Sequence, residues 1–144
     1  MADIEDDMAK LLTQVVDAED GYREGAELAK TPDMKAMFET LRSTHADHII
    51  GLKAEMRALG LAADDDTSAL AVVHKAILNI RSVFSGLDHD VVPGLIDGER
   101  RIIESYDDLI ARVGAGQTLR QVLESQRNAL NERIANLQAF GQAG

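Results

Sequence analysis

The sequence has no cysteine in its 144 residues. Disulfides, cysteine-ligated zinc, iron–sulfur clusters and cysteine nucleophiles are therefore excluded, because each of them needs a thiol or a thiolate. There are two prolines, Pro32 and Pro93, and strict apolar–polar alternation and β-branched runs are rare. Since proline interrupts helices and alternation is typical of strands, this scarcity favours long helices over a sheet.

Basic residues are also scarce. Lys and Arg total 15 against 25 Asp and Glu, which gives a net charge of −10 at pH 7. Nucleic acids and anionic membranes are bound by clustered Lys and Arg, so we expect neither as a partner. No apolar run approaches the ~18 residues of a transmembrane helix. The acidic start, MADIEDDMAK, lacks the apolar segment of a secretory signal, so we expect a cytoplasmic protein.

An apolar period of 3.6 residues recurs along the chain and predicts five helices within one domain, 1–144. The predicted helices are 4–30, 32–59, 68–84, 90–113 and, after Thr118, a last helix to about Phe140. Short loops join the first to the second and the fourth to the fifth, which predicts two antiparallel hairpins. The expected fold class is an all-α, ferritin-like, up-down-down-up four-helix bundle, with 68–84 as an additional crossover helix between the hairpins. A plain five-helix bundle is the alternative.

Polar residues interrupt the apolar stripe of every long predicted helix. They are Glu19 in the first helix, His45 and His48 in the second, Glu99 in the fourth and Gln126 in the fifth. In the crossover topology, the helical rise puts all of them about 14 to 22 Å from the end that carries the KTPD loop. We therefore expect polar groups from four helices to share one layer in the middle of the bundle.

Carboxylates and imidazoles from facing helices are the donors with which helical bundles bind Fe, Mn or Zn. The candidate metal ligands are accordingly Glu19, His45, His48 and Glu99. Tyr22, Tyr106 and Gln126 are candidates to orient those ligands, and the tyrosines also to carry redox chemistry. The alternative is a metal-free network in which the two acids hydrogen-bond the histidines and tyrosines.

The histidine spacing weakens one metal hypothesis. A dinuclear oxidase centre needs a Glu-x-x-His pair on each of two helices. Arg42 and His45 stand three residues before His45 and His48, so this sequence has no such pair. The sequence therefore argues against a ferroxidase.

Three segments resemble a known family. They are DAEDGYREGAEL in the first helix, AVVHKAILNIRSVFSGLD in the third and VVPGLIDGERRIIESYDDLI in the fourth. Their order and spacing resemble the bacterial ferritin-like proteins called domain of unknown function 2383, over roughly residues 8–138. The resemblance implies a ferritin-like bundle of unknown activity. It marks pattern positions at Asp17, Gly21, Tyr22, His74, Gly98, Glu99 and Tyr106, without making them metal ligands.

Three functions remain open on the sequence alone. The first is an uncharacterised cytoplasmic bundle with a buried, metal-binding polar centre that takes iron, manganese or zinc. The second is a non-catalytic structural or interaction protein, whose polar layer fixes the register of the helices. The third is a metal-dependent oxidoreductase. We also expect a homodimer, because several isoleucines widen the apolar stripes beyond one core seam: Ile49, Ile50, Ile96 and Ile103.

Overall fold

The computed structural model describes residues 2–61 and 91–143. These residues form the helices α1 (Ala2–Leu28), α2 (Pro32–Ala58), α3 (Val92–Arg112) and α4 (Thr118–Ala143), with no strand among them. The predicted all-α class and four-helix bundle are therefore confirmed. The predicted crossover helix, 68–84, lies outside the described residues, as does His74.

The ends of α2 follow from its sequence. The Thr31 hydroxyl accepts a hydrogen bond from the Met34 N–H at 3.4 Å, and Pro32 occupies the first turn, where no N–H is needed. At the other end Gly60 has φ +74°, the left-handed conformation that glycine adopts without strain. The Gly60 N–H bonds the Arg57 carbonyl, and the Leu61 N–H bonds the Met56 carbonyl at 2.8 Å. This pair of bonds is a Schellman motif, which stops the helix.

The helix order follows from which helix ends share a core. α1 packs against α2 and α3, and α4 packs against the same two helices. One apolar cluster contains residues from the N-terminal half of α1 and from the C-terminal parts of α2 and α3. It also contains residues of α4, beginning in the first turn of that helix. A second cluster joins the opposite ends of the four helices. Helices α2 and α3 are thus parallel to each other and antiparallel to α1 and α4, the predicted up-down-down-up order.

The two apolar clusters lie toward opposite ends of the bundle. The α3–α4-loop cluster is built on Met8, Leu11, Leu12, Val15, Val16, Leu52, Met56, Ile102, Tyr106, Leu109, Ile110, Val113, Leu119, Leu123 and Leu130. The α1–α2-loop cluster is built on Tyr22, Ala26, Met34, Phe38, Leu41, Val91, Val92, Leu95 and Leu137. On α1, α2 and α3 the predicted polar residues fall between the two clusters. Within the described ranges, no helix combines the length and apolar character that a membrane span requires.

Candidate polar centre

All five polar residues that interrupt the predicted stripes are buried. The exposed fraction is 0% for His45 and Glu99, 7% for Gln126, 8% for His48 and 9% for Glu19. Burial without a hydrogen-bond partner would cost each of these groups several kcal/mol, on the order of 2–7 for a neutral one. The partners of each side chain therefore decide what this centre can do.

His45 and Glu99 form a direct pair across the centre of the bundle. The His45 Nε2 atom lies 3.0 Å from each of the two carboxylate oxygens of Glu99. Both side chains are fully buried. Since a carboxylate accepts hydrogen bonds and cannot donate them, this contact assigns the imidazole proton to Nε2. The pair connects α2 to α3, which lie diagonally opposite in the packing described above.

Tyr22 of α1 completes the surroundings of Glu99. Its ring stacks on the His45 ring, with a centroid separation of 5.6 Å and an interplanar angle of 20°. Its hydroxyl donates a hydrogen bond to Glu99, and burial, together with the charge of Glu99, raises the pKa of Tyr22 well above its usual value. The hydroxyl therefore keeps its proton at neutral pH and remains a donor. Glu99 thus accepts hydrogen bonds from two other helices.

A second set of hydrogen bonds brings α4 into the network. The Tyr106 hydroxyl donates to Gln126 Oε1 at 2.6 Å, and Gln126 Nε2 donates to the His48 backbone carbonyl at 3.2 Å. Burial and the charge of Glu99 raise the pKa of Tyr106, so this hydroxyl also stays protonated. One amide side chain from α4 therefore bonds both α3 and α2.

His48 lies beside this network as a neutral ring. Its ring packs edge-on against His45 and Tyr106, with centroid separations of 6.0 and 6.5 Å. Burial and the neighbouring His45 lower the pKa of His48 to about 4. The Nδ1 atoms of both histidines are buried with no hydrogen-bond partner. Each imidazole thus has one nitrogen that the described protein atoms do not use.

Glu19 is buried but turns toward a different partner. Both of its oxygens contact Nη2 of Arg23 one turn later on α1, Oε2 at 2.7 Å, and Arg23 also bonds Asp20 at 3.1 Å. Burial raises the pKa of Glu19, and Arg23 opposes that rise. Of the histidine–acid hydrogen bonds that the metal-free alternative expects, the described residues contain the one between His45 and Glu99. Glu19 instead joins an ion pair whose arginine is 53% exposed.

Two further residues that contribute to the polar centre were not predicted from the sequence. Arg23 follows Glu19 at the i, i+4 spacing of a helical ion pair, and that spacing was the available signal. Gly51 lies one turn after His48, and a Cβ built there would lie 2.8 Å from Gln126 Nε2. This glycine lets the amide of α4 reach the α2 backbone.

The donor set can be compared with a carboxylate-bridged dinuclear centre. That centre takes a Glu from each of two helices and a Glu-x-x-His pair from each of the other two. Here α1 and α3 carry Glu19 and Glu99, but α2 carries His45-x-x-His48 and α4 carries Gln126-x-x-Ala129. Across residues 2–61 and 91–143, no group of three or more His, Cys, Asp or Glu side chains is arranged to hold a metal ion. The described residues do not fit a dinuclear centre, and metal binding of any other kind stays a prediction.

Two polar atoms of α1 that lie beside a groove between α1 and α3 have no hydrogen-bond partner among the described residues. The atoms are Asp17 Oδ1 and Gln14 Oε1, and the groove has a volume of about 740 Å³ and is also lined by Lys10 and Ser105. Burial, and secondarily the charge of Asp20, raise the pKa of Asp17 to about 6. In the folded protein Asp17 therefore keeps its proton to a higher pH than an ordinary aspartate does.

The comparisons with known proteins give one match. A family model described as a domain of unknown function (DUF2383) matches residues 3–112, which include α1, α2 and α3. No curated protein and no solved structure matches the chain.

Proposed function

The chain belongs to the domain of unknown function 2383 family, and we propose that it acts as a non-catalytic helical bundle whose polar centre fixes the register of its helices. The observation that carries this proposal is the environment of Glu99. Its carboxylate has no solvent exposure and accepts hydrogen bonds from His45 and Tyr22. A buried carboxylate is tolerated when it is paired and hydrogen-bonded, so this centre has no need of a further ligand.

Register is fixed because the contacts of this centre are specific in position. Sliding one helix by a turn, about 5.4 Å, would separate His45 from Glu99 and Gln126 from the His48 carbonyl. Separating a buried carboxylate from its partner in this way costs about 3–5 kcal/mol. Apolar side chains penalise such a shift much less, since one buried leucine resembles the next. A single buried polar residue sets register in the same way in coiled coils.

Metal binding at the same centre is the second candidate function. Two observations favour it: one imidazole nitrogen lies within 3.0 Å of both Glu99 oxygens, and two further imidazole nitrogens have no partner. Glu99, His45 and His48 would supply the donors for one Fe²⁺, Mn²⁺ or Zn²⁺ ion only after rearranging, since no three such side chains among the described residues are now arranged to hold an ion. Tyr22 and Tyr106 lie beside these residues. Glu19, the fourth predicted ligand, would first have to leave Arg23. The bound ion would supply Lewis-acid or redox chemistry, as the oxidoreductase hypothesis requires.

Thermal melting with and without metal separates the two candidates. An ion that binds only the folded state raises its stability by RT ln(1 + [L]/Kd). The register proposal predicts that protein purified without an affinity tag melts at the same temperature in chelator and in Fe²⁺, Mn²⁺ or Zn²⁺. A rise in melting temperature that disappears in the variant with both His45→Ala and His48→Ala would overturn it in favour of metal binding.

Self-association into a cytoplasmic homodimer is a further part of the proposal. Ile50 supports it, because this residue is 69% exposed on the outer side of α2. Ile49, Ile96 and Ile103 give less support than the sequence suggested, since they pack partly against the two apolar clusters of their own chain. Light scattering at micromolar concentration should give about twice the chain mass of 15.6 kDa. A value at the chain mass would refute dimerisation.

A further inference from the structure

We propose that this bundle retains the helix positions from which a dinuclear carboxylate centre takes its ligands, but that the side chains at three of these positions prevent it from binding two metal ions. The three residues are His45, Gln126 and Ala129. The inference deepens the proposed function, on which it rests. It explains why a chain with two buried glutamates in its bundle would not use them to bind two ions.

His45 stands where the α2 pair of such a centre has a glutamate. The spacing His45-x-x-His48 reproduces Glu-x-x-His with only the first residue exchanged. The exchange replaces an anion with an imidazole N–H, and that N–H is directed at both oxygens of Glu99. The Glu99 carboxylate, which would be a cation ligand in such a centre, is therefore already occupied by a proton donor from the chain itself.

Gln126 and Ala129 stand where the α4 pair would be. The Gln126 amide is neutral, and both of its polar atoms are used, by the Tyr106 hydroxyl and by the His48 carbonyl. Its Nε2 is a hydrogen-bond donor and cannot ligate a cation. Ala129 has no donor atom. At these two positions the fourth helix accordingly offers neither a carboxylate nor an imidazole.

Charge balance leads to the same conclusion. Two divalent ions carry a charge of four, and the dinuclear pattern balances it with four glutamates. This centre has Glu99 together with Glu19, whose charge is already balanced by Arg23. Reversing the three exchanges restores the missing carboxylates and the second imidazole.

The experiment compares metal stoichiometry in the wild type and in a triple variant with His45→Glu, Gln126→Glu and Ala129→His. Each full-length protein is incubated with Mn²⁺ and desalted, and its manganese is measured per folded chain by elemental analysis. We expect fewer than two ions in the wild type and about two in the triple variant, whose melting temperature should then rise with Mn²⁺. The single variant Ala129→His is the matched control, and it should take up no more than the wild type.

Each outcome bears on the inference. Two ions in the wild type would overturn both this inference and the register proposal. A folded triple variant that takes up no more manganese than the wild type would overturn this inference alone. If the triple variant does not fold without metal, circular dichroism during refolding with Mn²⁺ decides. Metal-dependent folding supports the inference, and a chain that remains unfolded with Mn²⁺ counts against it.

Discussion

Replacing His45 with alanine tests the network at its most buried contact. The change removes the imidazole that donates to both Glu99 oxygens and leaves that carboxylate without solvent exposure. Tyr22 remains as the hydrogen-bond donor to Glu99. The variant therefore contains a buried acid that has lost its main partner.

The stability that His45→Ala loses follows from the cost of breaking a buried pair, which is about 3–5 kcal/mol. A chain of this length is expected to have a free energy of unfolding of roughly 7–15 kcal/mol, from about 0.05 kcal/mol per residue up to the usual limit for native proteins. The variant should therefore still fold, with a melting temperature lowered by roughly 10–20 °C.

His48→Ala is the matched control. It removes the same ring from the same helix, but no carboxylate of residues 2–61 and 91–143 pairs with that ring. Gln126 bonds the His48 backbone carbonyl, which alanine retains. We expect a loss of about 1–3 kcal/mol, from the cavity alone. Urea unfolding followed by circular dichroism, in buffer containing chelator, measures both variants.

A double-mutant cycle of His45→Ala with Glu99→Gln then isolates the pair. We expect a coupling energy of about 1–3 kcal/mol, because residues in contact usually couple by 0.5–3 kcal/mol. The reasoning would be refuted if His45→Ala cost no more than His48→Ala, or if the coupling were below about 0.5 kcal/mol.

Three further predictions concern backbone space and pH. Gly51→Ala should destabilise the protein by about 1 kcal/mol, since its Cβ would lie 2.8 Å from Gln126 Nε2, whereas Gly98→Ala, with open space around it, should stabilise by up to about 1 kcal/mol in the same urea assay. Because the folded protein holds the His48 pKa near 4, below the ordinary histidine pKa of 6.5, the unfolded state binds more protons between these two pH values. Stability should therefore fall by at most about 3 kcal/mol as pH drops from 6.5 to 4, and titration of unfolding should show a flatter profile for His48→Gln. The pH dependence of stability that Asp17 contributes has the opposite sign, because its pKa is raised from 3.8 to about 6 in the folded protein. Asp17→Asn should increase stability above pH 6 and leave it unchanged below about pH 4, and an equal effect at both pH values would contradict this account.

Most of the fold could be predicted because the boundaries of a helix depend on the residues at its own ends. Pro32 and Gly60 delimit α2 within a residue of the predicted 32–59, and the observed helix is Pro32–Ala58. The helix predicted over 90–113 is observed as Val92–Arg112, and the helix predicted over 4–30 is observed as Ala2–Leu28. A shift of one or two residues at a helix end is within the fraying of the last turn.

The burial of the polar centre was also predictable, because a polar residue at a stripe position must point inward with the stripe. Which of these polar residues pair with each other was less predictable. Height along a helix does not say which neighbour a flexible side chain takes, and Glu19 has a cation at i+4 on its own helix. The contacts of Tyr22 with Glu99 and of Tyr106 with Gln126 depend on how the helices rotate about their axes. That rotation is set by packing across the whole core and has no local sequence signal.

The most direct test of the central claim is the ¹⁵N NMR spectrum of the histidine rings, recorded in chelator and again with added Zn²⁺. The account predicts that the spectrum of His45 shows a proton on Nε2, hydrogen-bonded to Glu99, and that Zn²⁺ leaves the signals of His45 and His48 unchanged. Zinc-dependent movement of both sets of signals to the positions of metal-bound imidazole nitrogens would contradict it. The polar centre would then be a metal site and not an internal hydrogen-bond network.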